Sequence, residues 1–274
     1  MKPPIYLIQS TWWPDDLKPD AIADNFLATL DELGKIGPQI VNWEVCDLPN
    51  LTGYSLDVIR PKIKTLVANN VSAAEGELPD PRDGYWVCAC SNDAPGEDGN
   101  ERSLHFEATT GSPWHNRAEF SLGSYLAPPD AASVTYPIYR RALEAMVSIW
   151  PCPWARARVL QHSDAKVPQW RPQPPGSTPE EYLALLMAEQ PPDPIEMNWI
   201  AYLSAPLAAG LTPSSELTCE RTPGGGMILS AVLERPDLSN PEHIRRSRAL
   251  THILEEWVRI RDFRQAHGAR IGPY

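Results

Sequence analysis

The sequence predicts an α+β protein, with antiparallel or mixed sheets covered by helices in two sheet-and-helix halves. Three observations support that prediction. Short runs that alternate apolar and polar residues follow one another in hairpin order at 85–124 and again at 199–233, as half-buried antiparallel strands do. Each set is followed by a run with apolar residues at helical spacing, 137–150 and 241–260, which a covering helix requires. Finally, 30 of the 274 residues are proline, about twice the usual share of roughly 5%. Proline at that density breaks long helices, so coiled coils and helical solenoids are excluded.

Ile5 to Gln9 reads as the first strand, followed by the turn Thr11-Trp12-Trp13-Pro14-Asp15-Asp16. A helix follows from about Asp20 to Leu33. Ile22, Phe26, Leu30 and Leu33 recur at helical spacing, Asp20 is placed to cap it, and Gly34 with Gly37 stops it. Ile40 to Val45 reads as a strand. Ser55 to Asn69 reads as a helix through Ile59, Ile63, Leu66 and Val67, started late or kinked by Pro61. Three strands come next, Tyr85 to Ser91, Ser103 to Thr109 and Arg117 to Ser124. Their alternation turns Leu104, Phe106, Ala108, Ala118, Phe120 and Leu122 inward and His105, Glu107, Arg117, Glu119 and Ser121 outward. The helix from Pro137 to Trp150 covers them with Tyr139, Leu143, Met146 and Val147, and Pro151 ends it.

After a strand near Ala157 to Gln161, eight prolines fall between Pro168 and Pro194. That stretch reads as a surface crossing with one short helix from Pro179 to Ala188, begun by the capping box of Thr178 and Glu181. The last unit has strands at Trp199 to Ser204, Glu216 to Thr222 and Met227 to Leu233, the last two joined by the turn Pro223-Gly224-Gly225-Gly226. Asn240 caps and Pro241 begins a final helix whose stripe is Leu250, Ile253, Leu254, Trp257 and Ile260. The chain thus divides into a half at 1–167, the crossing at 168–194, and a hairpin-and-helix unit at 195–274 that packs with the first half as one domain.

The formal charge of −11 is unevenly placed: residues 1–110 hold 8 Lys/Arg against 18 Asp/Glu, and residues 235–274 hold 8 against 5. An acidic chain has no electrostatic reason to approach nucleic acid or an anionic membrane, and it is steered toward a basic partner. No apolar run reaches the roughly 18 residues of a membrane-spanning helix. Pro3, Pro4, Gln9 and Ser10 leave no signal-peptide core, and the five cysteines are scattered. A reducing, cytoplasmic setting is expected.

Catalytic and metal signatures are missing. Cys88 and Cys90 lie one residue apart in a strand, unlike the knuckles of structural zinc, and read as buried free thiols. His243 and His252 fall on opposite helix faces and read as surface residues. Gly224 to Gly226 is followed by no Lys or Ser/Thr, so it reads as a hairpin turn and not a phosphate loop. No cofactor is expected. His105 and Glu107, on the outer face of one strand, are the pair on which an alternative hydrolytic function would rest.

The order of landmarks is more telling. Trp12-Trp13 after the first strand, a helix with Ala23, Phe26, Leu30 and Leu33, and then Trp43 form one series. It continues with Asn116 to Leu122, Pro151 to Val159, Trp199-Ile-Ala-Tyr-Leu-Ser204, the glycine hairpin and Asn240-Pro-Glu-His243. In these features, spread from about residue 5 to 260, the chain resembles the immunity protein 52 family of bacterial polymorphic-toxin systems. The resemblance implies a cytoplasmic protein that binds and neutralises a cognate secreted toxin. It further implies that the toxin is a restriction-endonuclease-like nuclease delivered by contact-dependent or type VI machinery, and it brings no catalytic residues. A nuclease has a basic groove for phosphates, which an acidic inhibitor can cover with fast, steered association. The partner-binding residues expected from charge and loop position are Asp93, Glu97, Asp98 and Glu101 in the polar loop at 92–102, then Asp15 and Asp16 beside Trp12.

Overall fold

The computed structural model describes residues 4–12, 17–37, 40–47, 52–71, 80–81, 84–91, 104–112, 116–122, 133–161, 195–212 and 214–257. Its strands are β1 (Ile5–Trp12), β2 (Trp43–Asp47), β3 (Thr52–Ser55), β4 (Tyr85–Ser91), β5 (Leu104–Thr110), β6 (Asn116–Leu122), β7 (Trp154–Gln161), β8 (Ile195–Leu203), β9 (Thr218–Arg221) and β10 (Met227–Ser230). Its α-helices are α1 (Pro19–Gly34), α2 (Leu56–Ile59), α3 (Ile63–Asn69), α4 (Tyr136–Ile149), α5 (Ala205–Ala208) and α6 (Pro241–Trp257). Helices and an antiparallel sheet make an α+β fold, as the sequence predicts.

The two expected sheets are one. Ten strands run in the order β3-β2-β4-β5-β6-β1-β7-β8-β10-β9, with β7 pairing β1 on one side and β8 on the other. The reason lies in β1. Ile5, Tyr6, Leu7 and Ile8 are all buried, and a continuous apolar run suits a strand covered on both faces at the middle of a sheet. The strand runs on to Trp12, past the expected end at Gln9.

α1, α3 and α4 cover one face. Between these helices and the sheet pack Tyr6, Ile8, Trp12, Phe26, Phe106, Phe120, Tyr139, Trp150 and Trp199. The polar ends of these aromatics are satisfied, as buried aromatics require: Tyr139 Oη donates to the Tyr6 carbonyl at 3.0 Å, Trp150 Nε1 to Thr29 Oγ1 at 3.0 Å, and Trp199 Nε1 to the Val232 carbonyl at 3.2 Å. On the opposite face, α6 lays Leu250, Ile253 and Leu254 over Trp154, Ala201, Leu203, Met227 and Leu229.

Local sequence explains most element ends. Pro61 converts the middle of the expected 55–69 helix into a 3₁₀ turn, Arg60–Lys62, between α2 and α3. Pro19 takes the first position of α1, so Lys18 stands at the cap and Asp20 in the first turn, where its charge faces the positive end of the helix dipole. Asn240 caps α6, its Oδ1 accepting the Glu242 N–H at 2.9 Å. His243 is not a surface residue. It is buried, its Nδ1 accepting the Asp237 N–H at 3.0 Å while Nε2 meets Glu234 at 3.0 Å, which ties the 231–240 connection to the start of α6. The 168–194 crossing, its helix at 179–188 and Ile260 lie outside the described residues. Among the described residues no helix is long and apolar enough to cross a membrane.

Candidate partner-binding surface

Beyond the reach of α6, the second face of the sheet bears a row of polar side chains. Register puts Cys88, Glu107, Glu119, Gln9 and Arg156 opposite one another across β4, β5, β6, β1 and β7. Glu107 and Glu119 are thus direct cross-strand neighbours of like charge, an unfavourable pair unless countered. Arg117, diagonal to Glu107, binds it at 2.9 Å. Arg156 and Arg158 share Glu196 at 2.8 and 3.0 Å, and Arg156 also reaches Gln9 at 3.4 Å and Asn198 at 3.5 Å. Asn198 in turn donates to Thr251 of α6 at 2.8 Å.

Burial, reinforced by Glu107, holds the Glu119 carboxyl above the usual glutamate range, with Arg117, Arg158 and His105 working against that rise. Burial also lowers the Arg156 guanidinium, as does neighbouring Arg158, while Glu196 and Glu119 oppose the shift. Three carboxylates here face three guanidiniums. The row neutralises itself, so it does not supply the field that would steer a basic partner.

The sequence-predicted residues fall elsewhere. Trp12 is only 4% exposed and stacks on Trp150 with ring centroids 5.4 Å apart; it is a core residue with no surface to offer a partner. Asp15, Asp16, Asp93, Glu97, Asp98 and Glu101 lie outside the described residues. Of the strands that flank them, β5 starts at Leu104 opposite Leu122, which pairs with Tyr6 at the start of β1, and Trp12 ends β1.

His105 and Glu107 do share a strand face, but each is held by a different neighbour: the His105 Nε2 lies 3.2 Å from the Cys88 thiol, and Glu107 is bound to Arg117. Cys88 is buried, as expected, whereas Cys90 is partly exposed. Among the described residues no cluster of three or more His, Cys, Asp or Glu is placed to hold a metal. The sequence reading missed the row as a unit. Glu119, Arg117 and Glu107 were each visible as outward-facing, but Arg156, Arg158 and Glu196 join them only through the β1–β7–β8 register.

A scan against protein-family models gives no match, and a search of curated proteins gives none either, so the resemblance to the immunity protein 52 family finds no support there. Among solved structures the chain is similar to a Pseudomonas aeruginosa protein described as T6SS protein PA0821. The TM-score is 0.50 at 13% identity, over 92% of this chain and 72% of that one. At that identity the likeness is one of fold. A taurocyamine kinase from Schistosoma mansoni aligns with a TM-score of 0.31 at 11% identity, over 93% of this chain and 32% of that one, too slight a likeness to support an argument.

Proposed function

We propose that this chain is a type VI secretion-associated immunity protein: a cytoplasmic, non-enzymatic binder that neutralises a cognate toxin, a restriction-endonuclease-like nuclease, by tight association. The observation behind the reading is the likeness of fold, across 92% of the chain, to a protein described as belonging to a type VI secretion system. The resemblance in aromatic and strand landmarks points the same way. Physical support comes from charge. The 18 acidic residues among the first 110 suit association with a basic, phosphate-binding groove.

A hydrolytic reading on His105 and Glu107 has no comparable support, since the ring is engaged by a thiol and the carboxylate by an arginine. The test is titration calorimetry with the protein encoded beside this gene. Replacing Glu97, Asp98 and Glu101 together by lysine should slow association and weaken binding about tenfold or more, with the effect largest at low salt. Unchanged affinity would remove the 92–102 loop from the interface, and no binding by the unaltered chain would remove the reading itself.

A further inference from the structure

Outside the polar row, polar groups gather in a cavity of about 360 Å³ between α1, β2 and α2, with Leu30, Asp31, Trp43 and Asp57 among its lining residues. They gather again over the start of α6. There they form a chain of hydrogen bonds closed by one imidazole.

The 231–240 connection is fixed at both ends. Where it leaves β10, the Ala231 N–H donates to the Trp199 carbonyl at 2.9 Å, and Trp199 Nε1 donates to the Val232 carbonyl at 3.2 Å. Where it enters α6, Asp237 closes a turn. Its carboxylate accepts from the Ser239 N–H at 2.8 Å and the Ser239 hydroxyl at 2.6 Å, and its carbonyl accepts from the Asn240 N–H at 3.1 Å. Leu233, Glu234 and Arg235 between these ends are exposed. His243, on the first turn of α6 and 8% exposed, holds this stretch down.

The ring has one way to do so. Its Nδ1 accepts the Asp237 N–H at 3.0 Å, and an imidazole nitrogen that accepts carries no proton. The proton of the neutral ring is therefore on Nε2, which donates it to the Glu234 carboxylate at 3.0 Å. A second proton can go only to Nδ1. There it would meet the Asp237 N–H, donor against donor, so the ring cannot take it up with the connection in place.

The charged groups around the ring have their own partners. Glu242 of α6 is bound by Arg245 and Arg246, and Arg246 also donates to the Ala231 carbonyl. Ser239 keeps the Asp237 carboxyl below the usual aspartate range, and Tyr6 of β1 lies within the field of Arg235 and Asp237. The Glu234 carboxylate attracts a charged ring, but through Nε2, which leaves the Asp237 N–H unserved.

We propose that His243 is a proton-operated latch: the neutral ring holds the 231–240 connection against the start of α6, and a proton taken up at Nδ1 releases the Asp237 N–H and frees the connection. The closed form binds no proton at Nδ1 and the open form does, so closure is favoured at higher pH and lost as pH falls. Histidine is the side chain suited to that duty near neutral pH. The latch stands independently of the immunity reading.

The test is amide hydrogen exchange of the full chain at about pH 7.5 and about pH 5, each rate divided by that of an unstructured chain at the same pH. Protection at Asp237 should fall about tenfold or more at the lower pH, while protection at Leu250, deeper in α6, should hold. His243→Asn supplies an amide oxygen that accepts a hydrogen bond and takes up no proton, so it should remove the pH dependence at Asp237. Equal protection at both pH values in the unaltered chain, or the same loss in His243→Asn, overturns the latch. A nitrogen spectrum of the unaltered chain decides the matter should that variant fail to fold. Nε2 alone should be protonated at the higher pH and both nitrogens at the lower, with the Asp237 amide signal displaced. A ring still neutral at the lower pH, or charged with that amide signal unmoved, overturns the proposal.

Discussion

The polar row under β5, β6, β1 and β7 and the pocket between α1, β2 and α2 differ in how their polar groups are met. In the row, Glu107 has Arg117, and Glu196 has both Arg156 and Arg158; of the buried side-chain atoms there, the Nε atoms of the last two stay without a partner. In the pocket the Trp43 indole N–H has no partner, while Arg60 grips Asp31 and has exposed Asp57 as a second charged neighbour. Charges that close on one another set strand register and serve the fold. Around the pocket Arg60 closes on Asp31 alone at hydrogen-bond distance, so charge ties that region less closely.

The sharpest way to break that comparison is to make the same substitution at two tryptophans. Trp199 is fully buried and its N–H is bonded to Val232, so Trp199→Phe should cost about 3 kcal/mol in denaturant unfolding, from lost volume plus an orphaned carbonyl. Trp43→Phe removes a donor that has no partner, so it should cost about 1–2 kcal/mol less. Equal losses would mean that the Trp43 N–H is satisfied in the free protein. Next in size, Arg117→Met takes from Glu107 its ion-pair partner while Glu107 still faces Glu119, and should lower stability by about 1–2 kcal/mol, read as a lower Tm, with toxin affinity unaffected. A large loss of affinity with little loss of stability would move the interface onto the row.

Smaller again is the effect of Glu119→Gln. The folded protein holds the Glu119 proton more tightly than the unfolded chain does, because the carboxyl is buried beside Glu107. Its stabilising contribution is therefore present at low pH and is lost as pH rises through the folded value. Replacing it by neutral Gln should raise stability by roughly 0.5–1 kcal/mol at pH 7, a gain that vanishes below about pH 4. A gain independent of pH would contradict the burial of this carboxyl. Least of all, Asp57→Asn should change stability by less than about 0.5 kcal/mol, since the group is exposed and its neighbour Arg60 is bonded to Asp31; a larger loss in thermal unfolding would show it to be part of the fold.

Much of the architecture was legible because it is local. β5 and β6 show the alternation read from their sequences, buried and half-buried residues in strict turn, and Pro61, Asn240 and the glycine hairpin act where they stand in the chain. What was not legible is long-range. Nothing in Trp154 to Gln161 announces that it will pair with Ile195 to Leu203, and that pairing joins the two expected sheets into one. β3, four residues with Gly53 among them, is too short to alternate visibly. His243 was misplaced because a loop folds back over the helix start, which no periodicity records. The site divides the same way. The acidic excess was countable from sequence, but Trp12 could be assigned to the core only once Trp150 was seen stacked on it.

The most direct measurement is co-expression of this chain with the toxin encoded beside its gene, scored as surviving cells. Survival with the unaltered chain, reduced with the Glu97, Asp98 and Glu101 lysine variant but kept with Glu119→Gln, is the predicted result. Killing of cells that make the folded, unaltered chain would contradict the account.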